Sequence, residues 1–267
     1  MRNLVIATLA AAAALSACQS QSNAEEGDSA ANNATATSIQ RSFGKFDRVG
    51  LAGPHRVRVV AGKVYAVRAT GSAAVLDQLD FEVSGDELTI GDKRSGDWAF
   101  WKKSRDDRAT ITVTMPVIAG VSLAGSGSMA IEAPSAKRFE AELAGSGTIT
   151  SSAIKARRVE MSLAGSGNIR LGQLSADEVN VEIVGSGGAR GQGTAGHASI
   201  EIAGSGNADL SKLVARELDV SIAGSGDVSA NATGKARVSI AGSGNVTVAG
   251  TRDCTVERNG SGKVRCG

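Results

Sequence analysis

Aromatic side chains are scarce in this chain: two tryptophans, one tyrosine and five phenylalanines make up 3% of its 267 residues. That scarcity argues against the stacking platforms on which single-stranded nucleic acids lie. An excess of either charge is also missing. With 29 Lys+Arg against 27 Asp+Glu, no basic footprint for nucleic acid is expected. Beyond Leu4–Leu15, itself too short for a permanent span, no apolar run approaches bilayer thickness. Catalytic signatures are equally thin. There is no Gly-x-Ser-x-Gly elbow, and His55 and His197 stand far apart without a ligand cluster, so no metal centre is expected. Gly191-Gln-Gly-Thr-Ala-Gly196 matches the dinucleotide fingerprint by letter. No apolar strand leads directly into it and no helix follows, so no cofactor is expected.

What is abundant is glycine, 34 residues, and it is periodic. Gly-Ser-Gly begins at Gly125, Gly145, Gly165, Gly185, Gly204, Gly224, Gly242 and Gly260, at intervals of 18 to 20 residues. A fixed period of this size signifies a solenoid whose units stack on one another. Two residues before the first glycine stand Leu123, Leu143, Leu163, Ile183, Ile202, Ile222 and Ile240. Four before stand Val121, Ala141, Met161, Val181, Ile200, Val220 and Val238, with polar residues between. That alternation describes strands buried on one face. The tripeptide is then a corner, where glycine tolerates positive φ and close backbone approach. A coil this short has no room for a crossover helix. The expected fold is all-β: a parallel β-helix of 18–20-residue coils, with the corner serines in a column, bonding corner backbone or each other.

The pattern in Val220-Ser-Ile-Ala-Gly-Ser-Gly-Asp-Val228 and Val238-Ser-Ile-Ala-Gly-Ser-Gly-Asn-Val246 resembles the GIN-type autotransporter-adhesin head domain. The likeness covers about residues 43–265. It implies a right-handed β-helix-like fold on the bacterial envelope and a role in adhesion, and it carries no catalytic residues. A true autotransporter needs a C-terminal membrane barrel, which the sequence to Gly267 does not contain; lipid anchoring would replace it.

The N-terminus supplies such an anchor. Arg2 and the apolar stretch to Leu15 read as an export signal. Leu15-Ser16-Ala17-Cys18 resembles the bacterial lipobox, which implies acylation at Cys18; the alternative is an ordinary cleaved signal. Gln19 in place of aspartate favours the outer membrane. The expected organisation is a signal peptide at 1–17, a flexible lipid-anchored tether at 18–40 and an irregular β-rich cap at 41–116. The repeat helix follows at 117–267. Within the cap, Arg56–Val60 with Val64–Ala69, and Phe81–Val83 with Leu88–Ile90, read as hairpins, and Ala73–Leu79 as a helical turn.

Three candidate sites follow. Outward positions of the strand before the corner carry Glu142, Glu160, Glu182 and Glu201. In a parallel stack Glu182 and Glu201 would be neighbours, a spacing compatible with retaining glycosidases but also with any solvated solenoid face. Calcium is not expected at the glycine corners, since the residues after them (Asn168, Asn207, Asp227 and Asn245) supply too few carboxylates. The insertion 92–108 gathers Trp98, Phe100, Trp101, Lys102 and Lys103, which suit either a contact surface or a plug on the solenoid end. Cys254 and Cys266 are expected to face inward and form a disulfide closing the last coil, the alternative being two buried thiols. The functional expectation is a non-enzymatic, lipid-anchored binding or structural module of the cell envelope, with a surface glycan or envelope protein as partner. The rival is a carbohydrate-active enzyme using the acidic face.

Overall fold

In the computed structural model, which describes residues 37–93 and 108–267, the repeats wind into a β-solenoid. The N-terminal elements are β1 (Thr37–Ser42), β2 (Arg48–Ala52), β3 (Arg56–Ala61), β4 (Ala66–Gly71), α1 (Ala73–Gln78), β5 (Leu79–Ser84), β6 (Glu87–Asp92) and β7 (Thr110–Met115). The repeats form β8 (Gly120–Gly125), β9 (Ser128–Ile131), β10 (Ser135–Gly145), β11 (Thr148–Gly165), β12 (Asn168–Gly185), β13 (Gly188–Gly204) and β14 (Asn207–Gly224). They end with β15 (Asp227–Ala232), β16 (Ala236–Gly242), β17 (Asn245–Ala249), β18 (Cys254–Asn259) and β19 (Lys263–Cys266).

Coils pair in parallel with like positions aligned: Val159 beside Val179, then Ala198, then Leu218. Stacking like on like turns the alternation into continuous buried columns. Leu143, Leu163, Ile183, Ile202, Ile222 and Ile240 form one of them. Departures from a twenty-residue period are absorbed away from the corner. Gly172 is the extra residue where the register jumps from Leu171 to Gln173. Shorter coils follow where pairing skips from Leu210 to Val214.

Each corner is held by backbone. Ser166 N–H and Gly167 N–H both donate to the Gly145 carbonyl, at 3.0 and 2.9 Å. Gly165 has φ +119°, and a Cβ on it would lie 2.6 Å from that same oxygen. Both positive φ and close approach therefore demand glycine. The serine side chains are exposed, and the corner bonds of the described residues run through serine N–H rather than hydroxyl. The expected hydroxyl ladder is corrected accordingly: the small side chain turns outward and backbone spacing closes the corner.

The solenoid also begins earlier than its Gly-Ser-Gly repeats. β2 and β3 form a coil whose corner is Gly53-Pro54-His55, aligned with Gly125-Ser126-Gly127. This coil lies inside the stack: β2 pairs with β6 on one side and β8 on the other, and β3 with β7 and β9. β4 runs antiparallel to β7, and β5 antiparallel to β6, covering the end coil.

The β5–β6 hairpin and α1 stand where the sequence placed them. The expected β3–β4 hairpin does not form, because β7 intervenes between the two strands. β1, antiparallel to β4, starts at Thr37 rather than after residue 40. Ile39 packs against the core, which accounts for the order there.

Candidate binding faces

Two strand faces flank the corner column. On the face before it, one outward column runs Thr89, Gly50, Ser122, Glu142, Ser162, Glu182, Glu201, Ser221, Ser239 and Glu257. Glu182 and Glu201 are direct lateral neighbours in this column; Glu142 is separated from Glu182 by Ser162. Glu160 belongs to the next column, between Glu140 and Asn180. The four glutamates therefore share a face without converging on one point.

Their electrostatics differ. Gly120 has no side chain to block Arg48, whose guanidinium reaches across to Glu140 and comes within 3.8 Å of Glu142. Arg158 lies 3.9 Å from Glu160 and donates to Glu178 at 2.8 Å. The Asn180 amide bond, against some burial and with help from Arg158, holds the Glu178 carboxyl below its ordinary range. Glu182 and Glu201 have no ion pair among the described residues. This is a mixed face, ion-paired along one side and acidic along the other.

Beside the carboxylates runs a small apolar column of Ala52, Ala124, Ala144, Ala164 and Val184, the last 49% exposed. Together they line an open groove of about 500 Å³ with Glu87, Glu142 and Glu182 on it.

On the face after the corner, side chains form a ladder. Asn207 Oδ1 accepts from Asp227 N–H at 3.3 Å, and Asp227 Oδ1 accepts from Asn245 N–H at 3.2 Å and from Asn245 Nδ2 at 2.8 Å. In the adjoining column Arg170, Arg190 and Asp209 are consecutive, with Arg190 Nε donating to Asp209 at 3.0 Å. The Ser211 hydroxyl bond to Asp209, then its backbone N–H and Arg190, hold that carboxyl low against the opposing effect of burial. Aligning the copies on the corner glycines puts these arginines in one column and shows the bare rung at Gly188.

Cys254 and Cys266 are joined by a disulfide, with Cα atoms 6.6 Å apart, on opposite sides of the last corner. Both pack partly buried against the core. Arg258 occupies the column of Ile240 and donates to the Gly262 carbonyl at 2.9 Å, so a polar group ends the apolar stack. Among the described residues no cluster of His, Cys, Asp or Glu could hold a metal ion, and no helix is long and apolar enough to cross a membrane. Cys18 and the aromatic–basic group of Trp98, Phe100, Trp101, Lys102 and Lys103 lie outside the described residues. The strands bounding that insertion, β6 and β7, end and begin at the corner column: Leu51 pairs with Ile90, and Arg56 with Thr110. The insertion thus takes the place of a three-residue corner.

The fold has solved relatives. A structure described as a "putative lipid binding protein" from Parabacteroides distasonis is 26% identical, covers 88% of this chain and 98% of its own, and superimposes with a TM-score of 0.80. A "putative adhesin" from Parabacteroides merdae is 15% identical over 88% and 97% of the two chains, with a TM-score of 0.77. Another from Bacteroides fragilis is 20% identical over 86% and 96%, with a TM-score of 0.64. No curated protein matches the chain in sequence. The family model described as "Putative auto-transporter adhesin, head GIN domain" matches residues 45–252, and with its corners, columns and coils in phase over that span the chain belongs to this family of adhesin-like domains.

Proposed function

We propose that this chain is an exported, lipid-anchored solenoid that serves as an adhesin-like binding module of the outer membrane, holding a surface glycan or an envelope protein. The observation carrying this reading is the open groove before the corners, with its apolar column and row of carboxylates. An extended, shallow, mixed surface suits a long partner better than a small substrate to be enclosed and transformed. Membership of an adhesin-like family supports the same reading, and Cys18 would tether the module to the membrane through its acyl chains.

Localisation and adhesion are tested together. Mass spectrometry of the mature N-terminus should find an acylated Cys18, and Cys18→Ala should release the protein from membranes. Protease shaving of intact cells should remove the solenoid. Protection until the outer membrane is permeabilised would overturn adhesion and leave a periplasmic structural role. The insertion is assigned to contact: Trp98→Ala with Trp101→Ala should keep the melting temperature and lose cell attachment. Unfolding of that double variant would instead make the rings part of the core.

A further inference from the structure

Among the described residues, Gly50, Gly120 and Gly188 are outward positions beside the corners where neighbouring coils carry polar side chains. At two of them adjoining side chains occupy the gap. A Cβ on Gly50 would meet Glu87 Oε1 at 2.6 Å and Ser122 Oγ at 2.9 Å, atoms that hydrogen-bond to each other at 2.7 Å. A Cβ on Gly120 would lie 3.4 Å from the Arg48 guanidinium. The third gap, at Gly188, stays open. Its column runs Ser128, Thr148, Asn168, Gly188, Asn207, Asp227 and Asn245. The polar ladder is therefore interrupted at this rung. Only Asn168 Oδ1, at 3.0 Å, and the Asn207 carbonyl, at 3.8 Å, come within 4 Å of a Cβ placed there.

The gap opens into a cavity of about 440 Å³ lined by Asn168, Ser186, Asn207, Arg170, Arg190 and Asp209 among others. A second cavity of about 490 Å³ shares both arginines and adds Thr150, Gln192 and Lys212. Both volumes lie in the range of small-ligand sites. Arg170 and Arg190 line both cavities. Arg190 is tied to Asp209, whereas the Arg170 side chain has no ion pair among the described residues. Arg170 and Arg190 are direct neighbours on adjacent strands, so an anion between them would relieve like-charge repulsion. Carboxamides and a hydroxyl on the other side of the gap can donate to and accept from ring hydroxyls.

We propose that the missing rung at Gly188 is a saccharide subsite for an acidic sugar, a hexuronate unit of a longer chain. Its carboxylate pairs with Arg170 and Arg190, in the bidentate geometry guanidinium favours. Its hydroxyls bond Asn168, Asn207 and Ser186. The second cavity, with Lys212, takes the next unit along the face. This assignment rests on the binding-module reading and adds to it a second contact surface, on the face after the corners, with its ligand class.

The test is calorimetric titration of the full chain with hexagalacturonate and with neutral cellohexaose. Hexagalacturonate should bind at least tenfold more tightly, and raising the salt should weaken it. Gly188→Asn restores the rung; no positive φ forbids it, and the neighbour it meets is the tip of a flexible side chain. It should abolish binding while the melting temperature holds. Should that variant misfold, Arg170→Gln, on the exposed surface, should still lower affinity about tenfold. Lys63→Gln, an exposed charge lining neither cavity, should leave it unchanged. Equal binding of both oligosaccharides, no binding of either, or wild-type affinity in folded Gly188→Asn would each overturn the proposal. Acidic polysaccharide stripped from the producing cells, run against hyaluronan, separates a self ligand from a foreign one. Failure of the binding-module reading shows itself separately: intact cells would then lack wild-type attachment whatever the sugar titration gives.

Discussion

His55 Nε2 lies 2.9 Å from Asp92 Oδ1, while its Nδ1 accepts the Ala109 N–H at 3.2 Å. One fully buried imidazole thus ties together the two ends of the segment that replaces a corner. Since Nδ1 accepts, the neutral ring carries its proton on Nε2, aimed at the carboxylate. A histidine that the sequence offers only as a lone candidate ligand is the clasp of the insertion.

Replacing His55 with Leu should therefore destabilise the fold by about 2–3 kcal/mol, because two bonds go and a buried N–H is left unmet. Urea denaturation measures the loss. A change under about 0.5 kcal/mol, the scale of a neutral surface substitution, would show that the clasp does not hold the ends.

At the corners, Gly165→Val or Gly204→Val should cost about 3 kcal/mol or more. Each adds a Cβ within 2.6 Å of the preceding coil's carbonyl at a φ near +120°. Ser166→Ala, altering an exposed side chain, should stay within about 0.5 kcal/mol. Thermal melts of the variants check both expectations, and a costly serine change would restore the hydroxyl to a structural role.

Asp47 gives a pH signature. Burial, and then repulsion from Asp86, raise its carboxyl above the ordinary value, and its Oδ1 is buried without a hydrogen-bond partner. A raised carboxyl binds its proton more tightly in the folded state. Its stabilising protonation is complete below the unfolded pKa and is lost as pH rises through the folded one. Asp47→Asn should therefore raise the melting temperature at pH 7 and change it little at pH 3. The reverse order would exclude a strained carboxylate.

Reduction of the Cys254–Cys266 bridge, which spans 12 positions, should lower stability by about 3 kcal/mol in the chain-entropy model. Non-reducing peptide maps should show the linked pair. Quantitative alkylation of both cysteines after denaturation without reductant would disprove the bridge.

The repeats were legible because a solenoid converts sequence period directly into lateral contact: aligning the copies predicts that Glu182 meets Glu201. Where like no longer stacks on like, that correspondence ends. Val57 and Val67 sit on consecutive strands and suggest a hairpin, yet Val113 of β7 lies beside Val67 and Ile111 beside Val57. Only long-range pairing decides between these partners. Gly53-Pro54-His55 was hidden for a related reason. It performs the work of Gly-Ser-Gly with one glycine, its histidine turned inward to a partner far along the chain.

The placement of β2–β3 between coils formed by later residues has a consequence for how the molecule is built. A solenoid laid down in chain order could add each turn to the last as the chain is extended. Here the first coil has both of its lateral neighbours downstream, and neither edge is satisfied until β6–β9 have followed. Completion of both lateral edges of the N-terminal coil must therefore wait for residues up to Ile131. From that platform onward each new turn needs only the turn before it.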